Sequence, residues 1–345
     1  MKYSIIVPVY NRPDEVGELL RSLTQQTLRD FEVIIVEDGS ATTCEEVCRQ
    51  YNDQLDLHYY YKENSGPGQS RNYGAERAQG QWLIVLDSDV VLPPDYLANA
   101  DSELAANSCD AWGGPDAAHP DFTPIQKAIS YSMTSFFTTG GIRGGKAKLD
   151  KFYPRSFNMG IRREVYHELG GFSKMRFGED IDFSYRIVEA GHTTRLLPTA
   201  WVWHKRRTDF RKFFRQVFNS GIARINLTRR HPGTLKLVHL LPAVFTVGVI
   251  ALILTSAVGR LLMYYCGNDQ WRWLCLLPWV PIVLYSLIIC ADSTVKNRSL
   301  RVGLLSVPAA FIQLMGYGLG FLQAWWKRCV LKKDEFQAFE KTFYK

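Results

Sequence analysis

The sequence predicts an α/β domain with a mostly parallel sheet flanked by helices, followed by C-terminal helices apolar enough for a membrane. Three observations predict it. Through about the first 200 residues, short apolar runs alternate with helical patterns. Three later runs, Leu240–Gly259, Trp273–Ala291 and Val302–Trp326, contain no Asp, Glu, Lys or Arg. Each is long enough to cross a hydrocarbon core of roughly 30 Å as a helix. Polar and acidic groups also recur directly after the predicted strands, where open α/β sheets bind ligands.

The elements follow in order. Tyr3–Val9 is a β-rich run, and Val16, Leu19, Leu20 and Leu23 give Glu15–Leu28 a helical period. Phe31–Val36 is a second buried strand, Thr43–Tyr51 a helix, and Leu57–Tyr61 a third strand. Ser70–Ala78 is a helix and Trp82–Leu86 (WLIVL) a fourth strand. Unbroken apolar strands separated by helices belong to sheets covered on both faces.

After Trp203 the character changes. Lys205–Lys236 holds ten Lys or Arg and one acid, Asp209, while Phe210, Phe213, Phe214, Val217, Phe218, Ile222 and Ile225 recur at helical spacing. We read an amphipathic helix lying in the membrane plane, in preference to one packed on the soluble domain. The expected domains are 1–207 (soluble α/β), 208–236 (basic interfacial helix), 237–330 (membrane region) and 331–345 (polar tail). A span starting after the basic stretch leads to Gly267–Gln270, which lacks Lys and Arg, and the second returns to Lys296, Arg298 and Arg301. That order obeys the positive-inside bias. A third crossing would strand Lys327, Arg328, Lys332 and Lys333 on the wrong side, and Pro308, Gly316, Gly318 and Gly320 interrupt the run. Two spans and a re-entrant or interfacial third are therefore expected.

Composition narrows the class. Of 345 residues 46% are apolar, and 41 Lys+Arg against 34 Asp+Glu give a net charge of +7. Neither disorder nor a collagen-like repeat fits. Seven cysteines, with no C-x-x-C pair, indicate reduced thiols and no zinc site. Tyr3–Tyr10 is too short for a signal peptide, so the soluble domain is expected on the cytoplasmic side of a bacterial-type inner membrane. Asn226-Leu-Thr and Asn297-Arg-Ser, formally glycosylation sequons, would then face the cytoplasm.

The chemistry concentrates at strand ends. Leu86-Asp87-Ser88-Asp89 puts two carboxylates after the fourth strand, suited to Mg²⁺ or Mn²⁺ with phosphate oxygens as further ligands. Glu37-Asp38-Gly39-Ser40 ends the second strand, with Asp38 able to accept a base N–H or ribose hydroxyl. Pro8-Val-Tyr10-Asn11 ends the first, and Tyr10 is available to stack on a base. Asn64-Ser-Gly-Pro-Gly68 leads to Arg71-Asn72, with Arg71 suited to a nucleotide phosphate.

Taken together, Pro8-Val-Tyr-Asn, Val36-Glu-Asp-Gly-Ser, Gly66 through Arg71-Asn72 and Leu86-Asp-Ser-Asp resemble the donor-site motifs of family-2 glycosyltransferases of the GT-A fold. Asn158-Met-Gly160, Gly170-Gly-Phe172 and Gly178-Glu179-Asp180-Ile-Asp182, with Arg186, are similar to that family's acceptor and catalytic region. The resemblance covers about residues 1–207. It implies single-step, inverting transfer of a sugar from a nucleotide-diphospho-sugar to an acceptor hydroxyl, with Mg²⁺ or Mn²⁺. By the same resemblance Asp89 is the main metal ligand, and Asp87 serves the ribose or the metal's water. Asp180 is the general base, with Glu179 beside it. His204 and Arg207, in Trp201-Val-Trp-His204-Lys-Arg-Arg207, follow the late H-x-x-R arrangement as metal ligand and diphosphate holder, and Gly113 of Trp112-Gly-Gly114 lies near the donor sugar.

Two patterns are set aside. Gly140–Lys146 satisfies G-x-x-x-x-G-K, but Ala147 lacks the hydroxyl a P-loop needs, and no G-x-G-x-x-G follows the first strand. Thr138–Lys148 is expected to be a mobile loop near the acceptor. The processive synthases' Q-x-x-R-W is absent; Gln216-Val-Phe-Asn219-Ser lacks its Arg and Trp, which favours single-sugar transfer. A lipid-linked glycan is the expected acceptor, and nucleic acid is not an expected partner. The alternatives are a polyprenyl-phosphate monosaccharide synthase and a non-catalytic membrane scaffold.

Overall fold

Strands form where the buried apolar runs predict them, and helices between them cover both faces of the sheet. In chain order the elements of the computed structural model are β1 (Tyr3–Val9), α1 (Pro13–Thr24), β2 (Phe31–Asp38), α2 (Glu45–Arg49), β3 (Leu57–Lys62), α3 (Pro67–Ala75), β4 (Trp82–Leu86) and β5 (Val90–Val91). There follow α4 (Tyr96–Ala106), β6 (Ala111–Gly113), β7 (Asp116–Ala117), α5 (Pro124–Thr134), α6 (Phe136–Thr139), β8 (Asn158–Arg162), α7 (Arg163–Glu168), α8 (Glu179–Glu189), β9 (Thr194–Leu196) and β10 (Val202–His204). The last are α9 (Phe210–Arg230), α10 (Leu241–Cys266), α11 (Arg272–Leu276), α12 (Trp279–Asn297) and α13 (Leu300–Trp325). The structure describes residues 1–117, 121–140, 152–175, 177–267 and 269–339. Most of the Gly-rich loop expected at Thr138–Lys148 lies outside them.

The chain divides into two units. The first comprises Met1–Pro120 and Lys148–Lys205, the second Asp121–Ala147 and Arg206–Lys345. In the first, a seven-stranded sheet has the order β3-β2-β1-β4-β8-β6-β9. β3, β2, β1 and β4 are parallel, β8 runs antiparallel between β4 and β6, and β6 and β9 pair in parallel. Alternate residues point to opposite faces. Ile5, Val7, Val33 and Ile35 pack on Val16, Leu19, Leu20 and Leu23 of α1. Ile6, Ile34, Val36 and Val85 pack on the other face with Met159, Phe172 and Phe183. A second sheet, β5-β10-β7, stands at the end of β4.

The helices differ from expectation at their ends. α1 stops at Thr24, not Leu28, because buried Gln26 ties the chain to the start of α4: Nε2 donates to Pro93 O (2.7 Å), and Oε1 accepts from Leu97 N (3.1 Å). α3 starts early at Pro67, whose fixed φ suits a first helical position, after Gly66 at φ 92°.

In the second unit α10, α11–α12 and α13 lie within three segments long and apolar enough to cross a membrane: Leu237–Cys266, Asp269–Asn297 and Leu300–Val330. The dip-and-return form expected for Val302–Trp326 is not present: α13 is one unbroken helix that carries Pro308 inside it. Asp121–Ala147, expected within the soluble domain, belongs to this unit. Its Ile129 and Met133 pack on Phe213 and Val217 of α9, Ala128 on Val302 and Ala309 of α13, and Tyr131 on Ile289 of α12. The apolar face of α9, expected to meet lipid, is largely spent on α5 and α13.

Candidate active site

The ends of β1 and β2 are tied together by side chains. Asn11, at φ 54°, accepts at Oδ1 from Ala41 N (2.8 Å) and Thr42 N (3.0 Å), and its own N–H donates to Ser40 Oγ (2.7 Å). Pro8 lies opposite Val36 in this pair of strands, and Tyr10 is half-buried just beyond. Asp38 is buried, with Oδ1 accepting from Ser65 N (2.8 Å) and Lys62 Nζ, and Oδ2 from Gly66 N (2.9 Å). Its carboxylate thus fixes the loop that opens α3.

β4 delivers Asp87, buried Ser88 and Asp89 to the sheet edge, and the second sheet brings their partner from more than a hundred residues away. β10 pairs antiparallel with β5, Trp203 opposite Val91 and His204 opposite Val90. The imidazole Nε2 of His204 therefore lies 3.2 Å from Asp89 Oδ1, and its Nδ1 is 3.9 Å from Asp116 Oδ2. The ring of Phe157 stacks on it at 5.1 Å. One ligand atom each from Asp87, Asp89 and His204 falls within a 4.8 Å cluster. Two carboxylates and an imidazole are a donor set that Mn²⁺ or Mg²⁺ accepts. Arg12 Nη1 meets Asp89 Oδ2 at 2.5 Å.

Arg71 lies among the same carboxylates. Placed by sequence at a donor phosphate, its guanidinium is buried, with Nη2 donating to Asp87 Oδ1 (2.8 Å) and Nη1 to Glu179 Oε1 (2.9 Å). Phe172 covers it at 5.2 Å. The side chain thus bridges two carboxylates.

Glu179 and Asp180 open α8 behind Gly178, whose φ of 84° turns the chain into the helix. Asp180 Oδ2 accepts from Arg155 Nε (2.7 Å), and Oδ1 from Ile181 N (2.9 Å). Burial works to raise the Asp180 pKa, but the Arg155 guanidinium, with Arg71 and the Ile181 N–H, outweighs it and holds the carboxyl below the usual carboxylate range. For Glu179 the balance is reversed: burial pushes its pKa up, against the opposing pull of Arg71. Gly68 leaves room here, since a Cβ on it would lie 3.2 Å from Glu179 Cγ. Asn72 locks the neighbouring turn, accepting at Oδ1 from Tyr166 Oη (2.7 Å) and Phe172 N (2.8 Å). Arg186 does the same from α8, reaching Asp182 Oδ2 (3.1 Å) and Gly171 O (2.6 Å).

Thus Asp87, Asp89 and His204 converge, and Arg71 joins them to Glu179 and through it to Asp180. Gly113 is buried within β6, where a Cβ would lie 3.0 Å from Phe152, and Arg207 belongs to the second unit. Sequence reasoning missed Arg12, Asp116, Arg155 and Phe157. Of these only Arg12 carried a signal, as it directly follows Pro-Val-Tyr-Asn.

A mostly parallel sheet with an Asp-x-Asp at one strand end and an acidic helix start beside it is the GT-A architecture of nucleotide-sugar transferases. Residues 4–170 match the model of glycosyl transferase family 2, and the chain belongs to that family. It is 25% identical over 230 residues to glycosyltransferase AglE of Haloferax volcanii, covering 65% of this chain and 73% of that protein. It is 46% identical over 196 residues to an uncharacterized glycosyltransferase of Haemophilus influenzae, covering 54% and 62%. It is also 38% identical over 228 residues to validoxylamine A glucosyltransferase of Streptomyces hygroscopicus, covering 57% and 54%. The matches therefore span 73% of the archaeal relative but less than two thirds of the other two. The mannosyltransferase PcManGT from Pyrobaculum calidifontis, solved with GDP-Man and Mn²⁺, shares the fold with a TM-score of 0.57 at 20% identity, over 86% of this chain and 87% of that one.

Proposed function

We propose that the protein is an inverting, single-sugar glycosyltransferase that moves a sugar from a nucleotide-diphospho-sugar to an acceptor hydroxyl. The acceptor is a lipid-linked glycan at the cytoplasmic face of a bacterial inner membrane. The observation that carries the reading is the Asp87–Arg71–Glu179 chain of ion pairs at 2.8 and 2.9 Å. It binds the carboxylates suited to the donor side to the acids suited to the acceptor side, so both halves of a displacement occupy one rigid site.

Asp87, Asp89 and His204 would hold a divalent cation, which when bound offsets charge on the departing nucleoside diphosphate. Asp38, Tyr10 and Asn11 line the nucleoside end, with Pro8, Ser88 and Gly113 as further donor-side groups. Asp180, ionised at neutral pH, takes the proton from the acceptor hydroxyl as its oxygen attacks the anomeric carbon from the face opposite the diphosphate. Inversion follows from that single displacement. The domain division follows the same reading, with Asp121–Ala147 set apart from the catalytic 1–207: 208–236 interfacial, 237–330 the membrane region and 331–345 a polar tail.

The test is transfer by the purified full chain with Mn²⁺ and radiolabelled nucleotide-sugars, with polyprenyl-diphosphate glycans and polyprenyl phosphate offered separately as acceptors. Label in the glycolipid that disappears in Asp180→Asn supports the reading. Neither transfer nor hydrolysis of any nucleotide-sugar refutes it. Label on polyprenyl phosphate itself, undiminished in Asp180→Asn, marks a polyprenyl-phosphate monosaccharide synthase, whose acceptor has no hydroxyl to deprotonate.

A further inference from the structure

Three apolar helices invite a count of three crossings, but their contacts fall in an unequal pattern. α10 and α11–α12 form an antiparallel hairpin: Ser256 Oγ donates to Cys275 O (2.9 Å), Trp279 Nε1 donates to Ser256 Oγ (3.1 Å), and a Cβ on Gly259 would lie 2.8 Å from Leu274 Cβ. α13 first descends along the end of α12. A Cβ on Gly303 would lie 1.9 Å from Thr294 Oγ1, Ser306 and Ser293 hydroxyls meet at 2.7 Å, and Phe311 reaches Tyr285 at 5.7 Å.

It then continues across the first turns of α10. Phe311 meets Phe245 at 5.7 Å, and a Cβ on Gly318 would lie 2.1 Å from Thr246 Oγ1 and 2.4 Å from Pro242 O. Successive α13 residues thus approach the beginning of α10. A third span would follow the hairpin toward the Cys266 end of α10. α13 instead crosses the hairpin at its opposite end.

The rest of α13 is occupied by a helix unsuited to hydrocarbon. α9 runs beside it in the same direction: Phe213 and Val217 pack with Ile312, and Ile222 and Ile225 pack with Phe321 and Ala324. The backbones touch, since a Cβ on Gly320 would lie 2.0 Å from Phe218 O and one on Gly221 2.2 Å from Tyr317 O. α9 carries Arg211, Lys212, Arg215, Arg224, Arg229 and Arg230. A crossing by α13 would draw Arg215 and Arg224 to membrane depth, where charge is costly. The irregular tail after α13 also folds back along α9. Ala338 N donates to Asn219 Oδ1 (3.0 Å), and Arg230 pairs with Glu335 at 2.9 Å. Irregular backbone is not tolerated against lipid tails. Burial agrees: 44% of the apolar window of α13 is enclosed by protein, against 17% and 11% for the other two.

We propose that α13 lies along the membrane surface and that the chain crosses the bilayer twice, by α10 and α11–α12. The paired α9 and α13 form a platform at the boundary between lipid head groups and acyl chains. Exposed Trp325 and Trp326, and exposed Phe136 and Phe137 of α6, are aromatic residues of the kind that boundary favours. The inference does not depend on the sugar-transfer reading, because its test reads topology and not activity.

Two native thiols supply that test, because Cys266 in the hairpin turn and Cys329 after α13 are both exposed. Full-length protein in sealed vesicles is treated with a membrane-impermeant maleimide before and after permeabilisation. Cys266→Ala and Cys329→Ala identify the labelled sites, and Lys236→Cys reports the side from which α10 starts. Cys329 is expected to label with Lys236→Cys and opposite to Cys266. Labelling of Cys329 together with Cys266 overturns the proposal. Proteolysis of an added C-terminal tag in the same vesicles gives the second readout: cleavage is expected only when Lys236→Cys is accessible, and cleavage from the Cys266 side overturns the proposal equally.

Discussion

The guanidinium of Arg12 lies 2.5 Å from Asp89 Oδ2, on one of the three side chains that converge as candidate metal ligands. A cation already seated on that carboxylate opposes a second one, by Coulomb repulsion that is substantial at such range near a protein surface. Arg12→Gln is therefore expected to tighten binding of Mn²⁺ alone by about tenfold, roughly 1.4 kcal/mol. Arg12→Lys retains the charge and should stay near the parent. Isothermal titration without nucleotide measures both, and an unchanged Mn²⁺ affinity in Arg12→Gln would contradict the competition.

Arg71 answers to a different physics. Removing one partner of a buried ion pair leaves the other uncompensated, at a cost of about 3–5 kcal/mol. Arg71→Gln strands Glu179 and weakens the hold on Asp87, so a loss near the lower end of that range is expected in unfolding of the full chain. The pH dependence has a definite sign. Burial already raises the folded-state pKa of Glu179 above its unfolded value, and loss of Arg71 raises it further. A raised acid costs stability as pH climbs from the unfolded pKa through the folded one. The deficit of Arg71→Gln should thus be larger at pH 8 than at pH 5.5. A pH-independent deficit would show that Glu179 is not the stranded charge.

The sequence made the strand-end chemistry legible because it is local. Asn11, Asp38, Asp87 and Asp89 each stand within three residues of the end of an apolar run, and each is found at the sheet edge. The antiparallel entry of β8 between β4 and β6 was not legible, since nothing in Asn158–Arg162 states its direction. His204 was visible as a candidate, but its companions Asp116 and Phe157 were not. They meet it through the β5-β10-β7 sheet and through stacking, which join segments far apart in the chain. The ion pairs of Arg71 with Asp87 and Glu179 were not legible either, because a lone basic residue reads alike whether its partner is a ligand or an acid distant in the chain.

Asp180 owes its low pKa to one neighbour more than any other. Burial opposes ionisation, and the Arg155 guanidinium at 2.7 Å leads the groups that override it, with Arg71 and the Ile181 N–H. If Asp180 is the general base, the acid limb of kcat/KM reports its protonation in the free enzyme. Arg155→Gln should move that limb to higher pH while leaving the plateau within a few-fold. Asp180→Asn should lower the plateau by about 10²–10⁴-fold, the usual worth of a general base. Activity of Arg155→Gln with an unmoved limb would assign the limb to another group.

The tightest approach of a described glycine to another helix's backbone in the second unit offers a test by size. A Cβ at Gly320 would lie 2.0 Å from the carbonyl oxygen of Phe218, backbone that cannot rotate away. Gly320→Leu must therefore part α9 from α13, and overpacking of this kind costs about 1–3 kcal/mol, or more where backbone blocks relief. Gly248 is the matched control, also within a long apolar helix but with nothing within 4 Å of its Cβ position. Gly248→Ala gains helix propensity and should be neutral or stabilising by up to about 1 kcal/mol. The two variants are compared by thermal unfolding of the full chain in one detergent. Equal midpoints would mean that the backbone contact between α9 and α13 contributes nothing to holding the unit together.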